Sequence, residues 1–133
     1  MIDSATNDGD GMASQVCYAS LALYSKQKIE EEISAALGAT PTLVGNRRGI
    51  FSWIFSTQDV TGLETVEDHV QSIRRHFAAH TEELVRLSKS GCEVRVWIYF
   101  GIAEVNRSFV LSAELIDWLS RFEADVCVDV WSN

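Results

Sequence analysis

The sequence predicts an α+β domain, with a mostly antiparallel sheet and helices packed on one of its faces. Several stretches alternate apolar and polar residues with period two, as half-buried strands do. Others repeat apolar residues every three or four positions, as amphipathic helices do, and glycines or capping residues separate the two kinds. A chain of 133 residues with 47% hydrophobic and 23% charged content suits a single domain with its own core.

Residues 1–15 are rich in Gly, Ser and Asp without periodicity and are expected to form an N-terminal arm or tail, leaving 16–133 as the domain. In Val16–Tyr24, Cys17, Ala19, Leu21 and Leu23 point one way, and Tyr18, Ser20, Ala22 and Tyr24 the other, which predicts a strand. Ser25 is a candidate cap for a helix burying Ile29, Ile33 and Leu37, with Gly38 as its stop. Pro41 and Thr42 restart an extended segment, and Gly45, Asn46 and Gly49 mark a turn before a strand over Ile50–Thr57. After a loop at Asp59–Thr65, one long helix is predicted over Val66–Lys89. Its apolar stripe is Val66, Val70, Ile73, Phe77, Leu84 and Leu87.

Cys92–Phe100 alternates most clearly. Cys92, Val94, Val96, Ile98 and Phe100 face the core, and Glu93, Arg95, Trp97 and Tyr99 face away. A loop through Asn106 leads to a short extended piece at Ser108–Leu111, and Ser112 caps a helix with Leu115, Trp118, Leu119 and Phe122 inward. In the last strand, Asp125–Trp131, the phase puts Val126, Val128 and Val130 inward and Asp125, Cys127, Asp129 and Trp131 outward. Val128→Asp is therefore expected to unfold the domain and Asp129→Ala to leave it intact. The order suits a ferredoxin-like βαββαβ core extended by a further helix and strand.

Several of these pieces together resemble a bacterial family catalogued as a domain of unknown function, DUF4279. They are CYASLALY from Cys17, the Leu37-Gly38 helix end, Pro41-Thr42, Arg48-Gly49, Trp53, the long helix, Leu111-Ser112 and the Val-rich final strand. The resemblance covers nearly everything after the N-terminal arm, implies an α+β fold and carries no activity. One departure is Leu43, where such sequences commonly place a basic residue. If that loop binds an anion in relatives, this chain is expected to bind it less well.

A net charge of −8 disfavours nucleic acid and anionic membranes and suits a basic protein partner. No apolar run is long enough to span a bilayer and no signal peptide is visible, so a cytoplasmic protein is expected. Cys17, Cys92 and Cys127 are odd in number and show no CxxC spacing, so they are expected to be thiols without disulfides.

Catalytic motifs are missing: there is no GxSxG elbow and no glycine-rich phosphate loop. His69, His76 and His80 lie on nearly one side of the long helix, and Glu83 could join His76 and His80. The pattern is read as packing, with no metal and no cofactor assigned. The outward residues Tyr18, Tyr24, Arg95, Trp97, Tyr99, Asp129 and Trp131, with Ser20 and Asp125 among them, form an aromatic face typical of recognition surfaces.

The expectation is a non-enzymatic protein-binding domain that recognises a partner or itself through that face. A small acidic inhibitor or immunity-type protein is one form of it. A homodimer across the face is expected, with Arg95 reaching Asp125 or Asp129 of the second copy. The alternative is a small-molecule sensor or enzyme, with a pocket between the sheet and the 41–49 loop that involves Arg47, Arg48 and Trp53.

Overall fold

The structure, a computed structural model, describes residues 17–102 and 108–132. The expected arm at 1–15, the strand start at Val16 and the loop through Asn106 lie outside the described residues. The elements are β1 (Cys17–Ser25), α1 (Glu30–Leu37), β2 (Leu43–Arg47), β3 (Ile50–Ser56) and α2 (Val66–Phe77). A 3-10 turn (Ala78–His80), α3 (Thr81–Lys89), β4 (Glu93–Ile102), α4 (Ala113–Arg121) and β5 (Asp125–Ser132) follow.

The strands make one sheet in the order β2-β3-β1-β4-β5. The pairs β2–β3, β3–β1 and β1–β4 are antiparallel, while β5 runs parallel to β4. A parallel neighbour needs a crossover, and α4 supplies it. Ile33 and Leu37 of α1, Val70, Ile73 and Phe77 of α2, Leu84 of α3, and Leu115 and Leu119 of α4 share one core with Ala19, Leu21 and Leu23 of β1 and Val94, Val96 and Ile98 of β4. The sheet residues alternate, so the helices all lie against the same face of the sheet.

The local starts and stops have identifiable causes. Thr65 and Asp68 form a capping box at the start of α2, and Gly38 ends α1 at φ +61°. Ser112 Oγ accepts from the Leu115 N–H to start α4. Between β2 and β3, Arg48 and Gly49 both take positive φ, the backbone of a two-residue hairpin turn.

The structure corrects the sequence reading at five places. Ser25 ends β1 and accepts from the Gln27 N–H, so it does not cap α1, whose first turn follows Ile29. Gly45 and Asn46 belong to β2, which confines the turn to Arg48-Gly49. The expected long helix is broken at Ala78–His80, where Thr81 Oγ1 donates to the Ala78 carbonyl. Ser108–Leu111 is not a strand.

The largest correction concerns β5. Val126, Val128 and Val130 lie on the helix-covered side in register with Val96, Ile98 and Phe100, yet remain 42%, 46% and 51% exposed. β5 is one of the sheet's two outer strands, and the core of helices does not reach over it. The expectation that Val128→Asp unfolds the domain therefore loses its physical basis.

Candidate functional site

Strand register brings most of the predicted aromatic face together. Tyr18 lies opposite Tyr99, which lies opposite Asp129; Ser20 lies opposite Trp97, which lies opposite Cys127. Arg95 is flanked by Ala22 and Asp125, and Trp131 sits beside Gly101. These side chains point away from the helices because they alternate with the core residues on the same strands.

The rings interlock. Tyr18 and Tyr99 stack with centroids 4.4 Å apart and planes 16° from parallel. Trp97 stacks at 6.3 Å from Tyr99, and its Nε1 donates to the Tyr24 hydroxyl at 2.9 Å. The Arg95 guanidinium lies 5.3 Å from the Tyr24 ring centroid while donating to Glu93 at 2.8 Å. Five residues of the neighbouring strands β1 and β4 thus support one another in a half-buried, pre-ordered surface. Rigid aromatics of this kind lose little entropy on binding.

Arg95 is already paired with Glu93 on its own strand, which the sequence reading did not anticipate. Burial first, and then the Asp129 charge, push the Tyr18 hydroxyl above its ordinary pKa. Burial also raises Tyr99, with Tyr18, Tyr24 and Asp129 adding to it. The Glu93 hydrogen bond raises Arg95. Tyr18 and Tyr99 therefore stay protonated and Arg95 charged at neutral pH, with Asp125 and Asp129 along the β5 margin of the face.

Trp131 stands apart from the interlocked rings, and its indole lies over Gly101. A Cβ built on Gly101 would come within 2.9 Å of the indole, so that approach requires glycine. Cys127 is a member of the face that the site prediction omitted; its alternation with the β5 valines was the available signal. The small side chains of Ser20 and Ala22 are buried between their larger neighbours.

The alternative ligand loop separates into two places. Arg47 and Arg48 join Tyr24, Ile50 and Ser52 around a shallow depression of about 380 Å³ on the open face. Trp53 does not line it. It is fully buried on the helix side, where its Nε1 donates to Ser34 Oγ at 3.0 Å and its ring meets Phe77 edge-on.

The histidines part in the same way. His69 is buried and hydrogen-bonded through Nδ1 to Thr57 Oγ1 at 2.7 Å. His76 bonds the Ser72 carbonyl and packs on Phe55, and His80 lies against Gly38 with Glu83 3.9 Å away. Among the described residues no three His, Cys, Asp or Glu side chains are grouped to hold a metal ion. No disulfide joins Cys17, Cys92 and Cys127, and no described helix is long and apolar enough to cross a membrane.

Comparison with protein families matches residues 15–133 to the model described as Domain of unknown function (DUF4279). No curated protein and no solved structure matches the chain.

Proposed function

Taking as premise that this chain belongs to the DUF4279 family, which carries no assigned activity, we propose that it is a non-enzymatic binding domain that recognises a basic protein partner through the aromatic face of its sheet. The observation that carries the reading is the interlocked set Tyr18–Tyr99–Trp97–Tyr24–Arg95. Aromatic and arginine side chains dominate binding hot spots, and here they are ordered before any partner arrives. The strand order β2-β3-β1-β4, antiparallel throughout, supports a ferredoxin-like core, whose helix-free face is the surface in question. Asp125, Asp129 and the net charge of −8 would steer a cationic partner to it.

A small acidic inhibitor or immunity-type protein that covers a basic enzyme is the specific form proposed. The test is titration against a panel of purified basic enzymes at low salt, reading tryptophan fluorescence and enzyme inhibition. A complex weakened at least about thirtyfold by Trp97→Glu is expected, as truncating a hot-spot aromatic costs about 2 kcal/mol or more. The absence of any complex or inhibition across the panel counts against the reading. A second reading, a small anionic ligand beside Arg47 and Arg48, has the shallow depression in its favour. Arg47→Ala/Arg48→Ala distinguishes the two, because it should leave Trp97-dependent binding intact.

A further inference from the structure

We propose that β5 is a self-association edge, and that two copies join by antiparallel pairing of their β5 strands about a two-fold axis at Val128. The two outer strands of the sheet are built differently. β2 is five residues long, carries Arg47, and ends in a tight turn with Arg48 at positive φ. Short length and positive charge are common protections of an outer strand. β5 is eight residues long and contains no Lys, Arg or Pro. One row of its side chains is Val126, Val128 and Val130, each with about half its surface in contact with solvent. Among the described residues no strand pairs with its outer backbone edge, and that edge and the apolar row both call for a partner strand.

The sequence of β5 selects the partner and the register. A two-fold axis normal to the sheet at Val128 places Val126 opposite Val130 of the second copy and Val128 opposite its twin, an unbroken valine row. On the other side of the sheet, Cys127 meets Asp129 and Asp125 meets Trp131, so no carboxylate faces another. Moving the axis to Cys127 sets Asp125 against Asp129, and moving it to Asp129 sets that carboxylate against itself; like charges directly opposite are destabilising. Axes at Val126 or Val130 keep the parity but shorten the overlap. A second copy of this chain is therefore the occupant that the edge is written for. The pairing leaves the aromatic face open, doubled across a ten-stranded sheet, and it stands independently of the partner proposed for that face.

Sedimentation of the full chain over a range of concentrations tests this. A dimer of about twice 14.8 kDa is expected. Its dissociation constant should fall as salt is raised, because each copy carries −8 and the contact itself is apolar and hydrogen-bonded. Val128→Lys should weaken the dimer at least tenfold and leave the chain folded, with a melting profile that matches the parent's at concentrations where both are monomeric. In a Cys127→Ser background, Val128→Cys should cross-link into a covalent dimer under mild oxidation, whereas Asp125→Cys should not.

A monomer at every concentration overturns the proposal. So does a dimer that appears only after residues 1–14 are removed, which would make the chain's own N-terminus the occupant. A dimer that survives Val128→Lys but is lost in Trp97→Glu assigns association to the aromatic face and overturns it as well. Preferential cross-linking of native Cys127 to itself overturns the register.

Discussion

β4 and β5 are neighbours with nearly the same alternation, and they meet different fates. In β4, Val94, Val96 and Ile98 are buried under the helices; in β5, Val126, Val128 and Val130, on the same side of the sheet, are half exposed. β4 has a strand on each side and helices above it, whereas β5, among the described residues, has a strand on one side alone. Periodicity therefore sets which way a side chain points, while its place in the sheet decides whether anything covers it. A valine row on a central strand is core, and the same row on an outer strand is an interaction surface.

The largest effect should come from comparing the two strands directly. Ile98→Asp buries an unpaired carboxylate at a fully buried position and should cost several kcal/mol, of the order of the total 5–15 kcal/mol of domain stability. Val128→Asp, its neighbour in register, should leave a folded monomer within about 1 kcal/mol of the parent at concentrations where the parent too is monomeric, since its side chain reaches water. Circular dichroism melts of both variants decide the matter. Two variants that unfold alike would mean that the β5 valines are core after all.

This contrast also shows what was legible in the sequence. The phases of β1, β4 and α4 could be read because one face of each is apolar and the other polar. The aromatic face followed from phase alone. The coverage of β5 could not be read, because it depends on how far the helices extend over the sheet. Trp53 was misplaced for a related reason: Ile50–Phe55 is apolar on both faces, and its partner Ser34 is 19 residues away. The break at Ala78–His80 was hidden by a stripe that resumes in phase at Leu84. The pairing of Arg95 with Glu93 lies within one strand and is set by rotamers that no pattern encodes.

The second prediction sharpens the comparison through a buried polar group just past the end of β3. Thr57 Oγ1 donates to the Ala19 carbonyl, accepts from the Ala19 N–H and bonds His69 Nδ1. With the single hydroxyl proton on Ala19, His69 donates from Nδ1, and its Nε2 has no partner among the described residues. Protonating Nε2 would bury a charge, and burial holds the His69 pKa below its ordinary 6.5 despite the opposing pull of Asp68. The unfolded chain therefore takes up the proton first as pH falls. This contribution is fully present above about pH 6.5 and is lost as pH drops through the lower folded value. Asp68, held below 3.8 chiefly by the Thr65 N–H, acts with the same sign at lower pH. Thr57→Val should cost about 1–3 kcal/mol at neutral pH. His69→Gln should flatten the fall in melting temperature between pH 7 and the acid limb. An unchanged slope would remove His69 from the account.

A smaller effect is expected on the open face. Tyr99→Ala removes the Tyr18 stack and the support of Trp97, a pair worth about 0.5–1.5 kcal/mol beyond simple burial. The loss should be well below that of Ile98→Ala, for which about 2–5 kcal/mol is expected at a fully buried site. Urea denaturation of the two alanine variants gives the ranking. A reversed order would make the aromatic face a second core rather than a binding surface.

The smallest effect on stability should come from Asp129→Asn, on the same strand as the exposed valines but on the open face. Asp129 is exposed and makes no ion pair among the described residues, so the change should stay within about 0.5 kcal/mol. Its charge nevertheless reaches the next strand. Asp129 faces Tyr99 in register and contributes, after burial, to the raised pKa of both Tyr18 and Tyr99. Removing that charge should lower the alkaline titration midpoint of the two tyrosines while leaving the melt unchanged, because a nearby negative charge disfavours the phenolate. Asp125→Asn serves as the control, since Asp125 faces Arg95 in register and is not among the causes of either tyrosine shift. Spectrophotometric titration of tyrosinate absorbance in the parent and both variants reads this directly. Identical titrations in all three would mean that Asp129 is not held beside the stacked tyrosines, and that the margin of the aromatic face is not ordered as described.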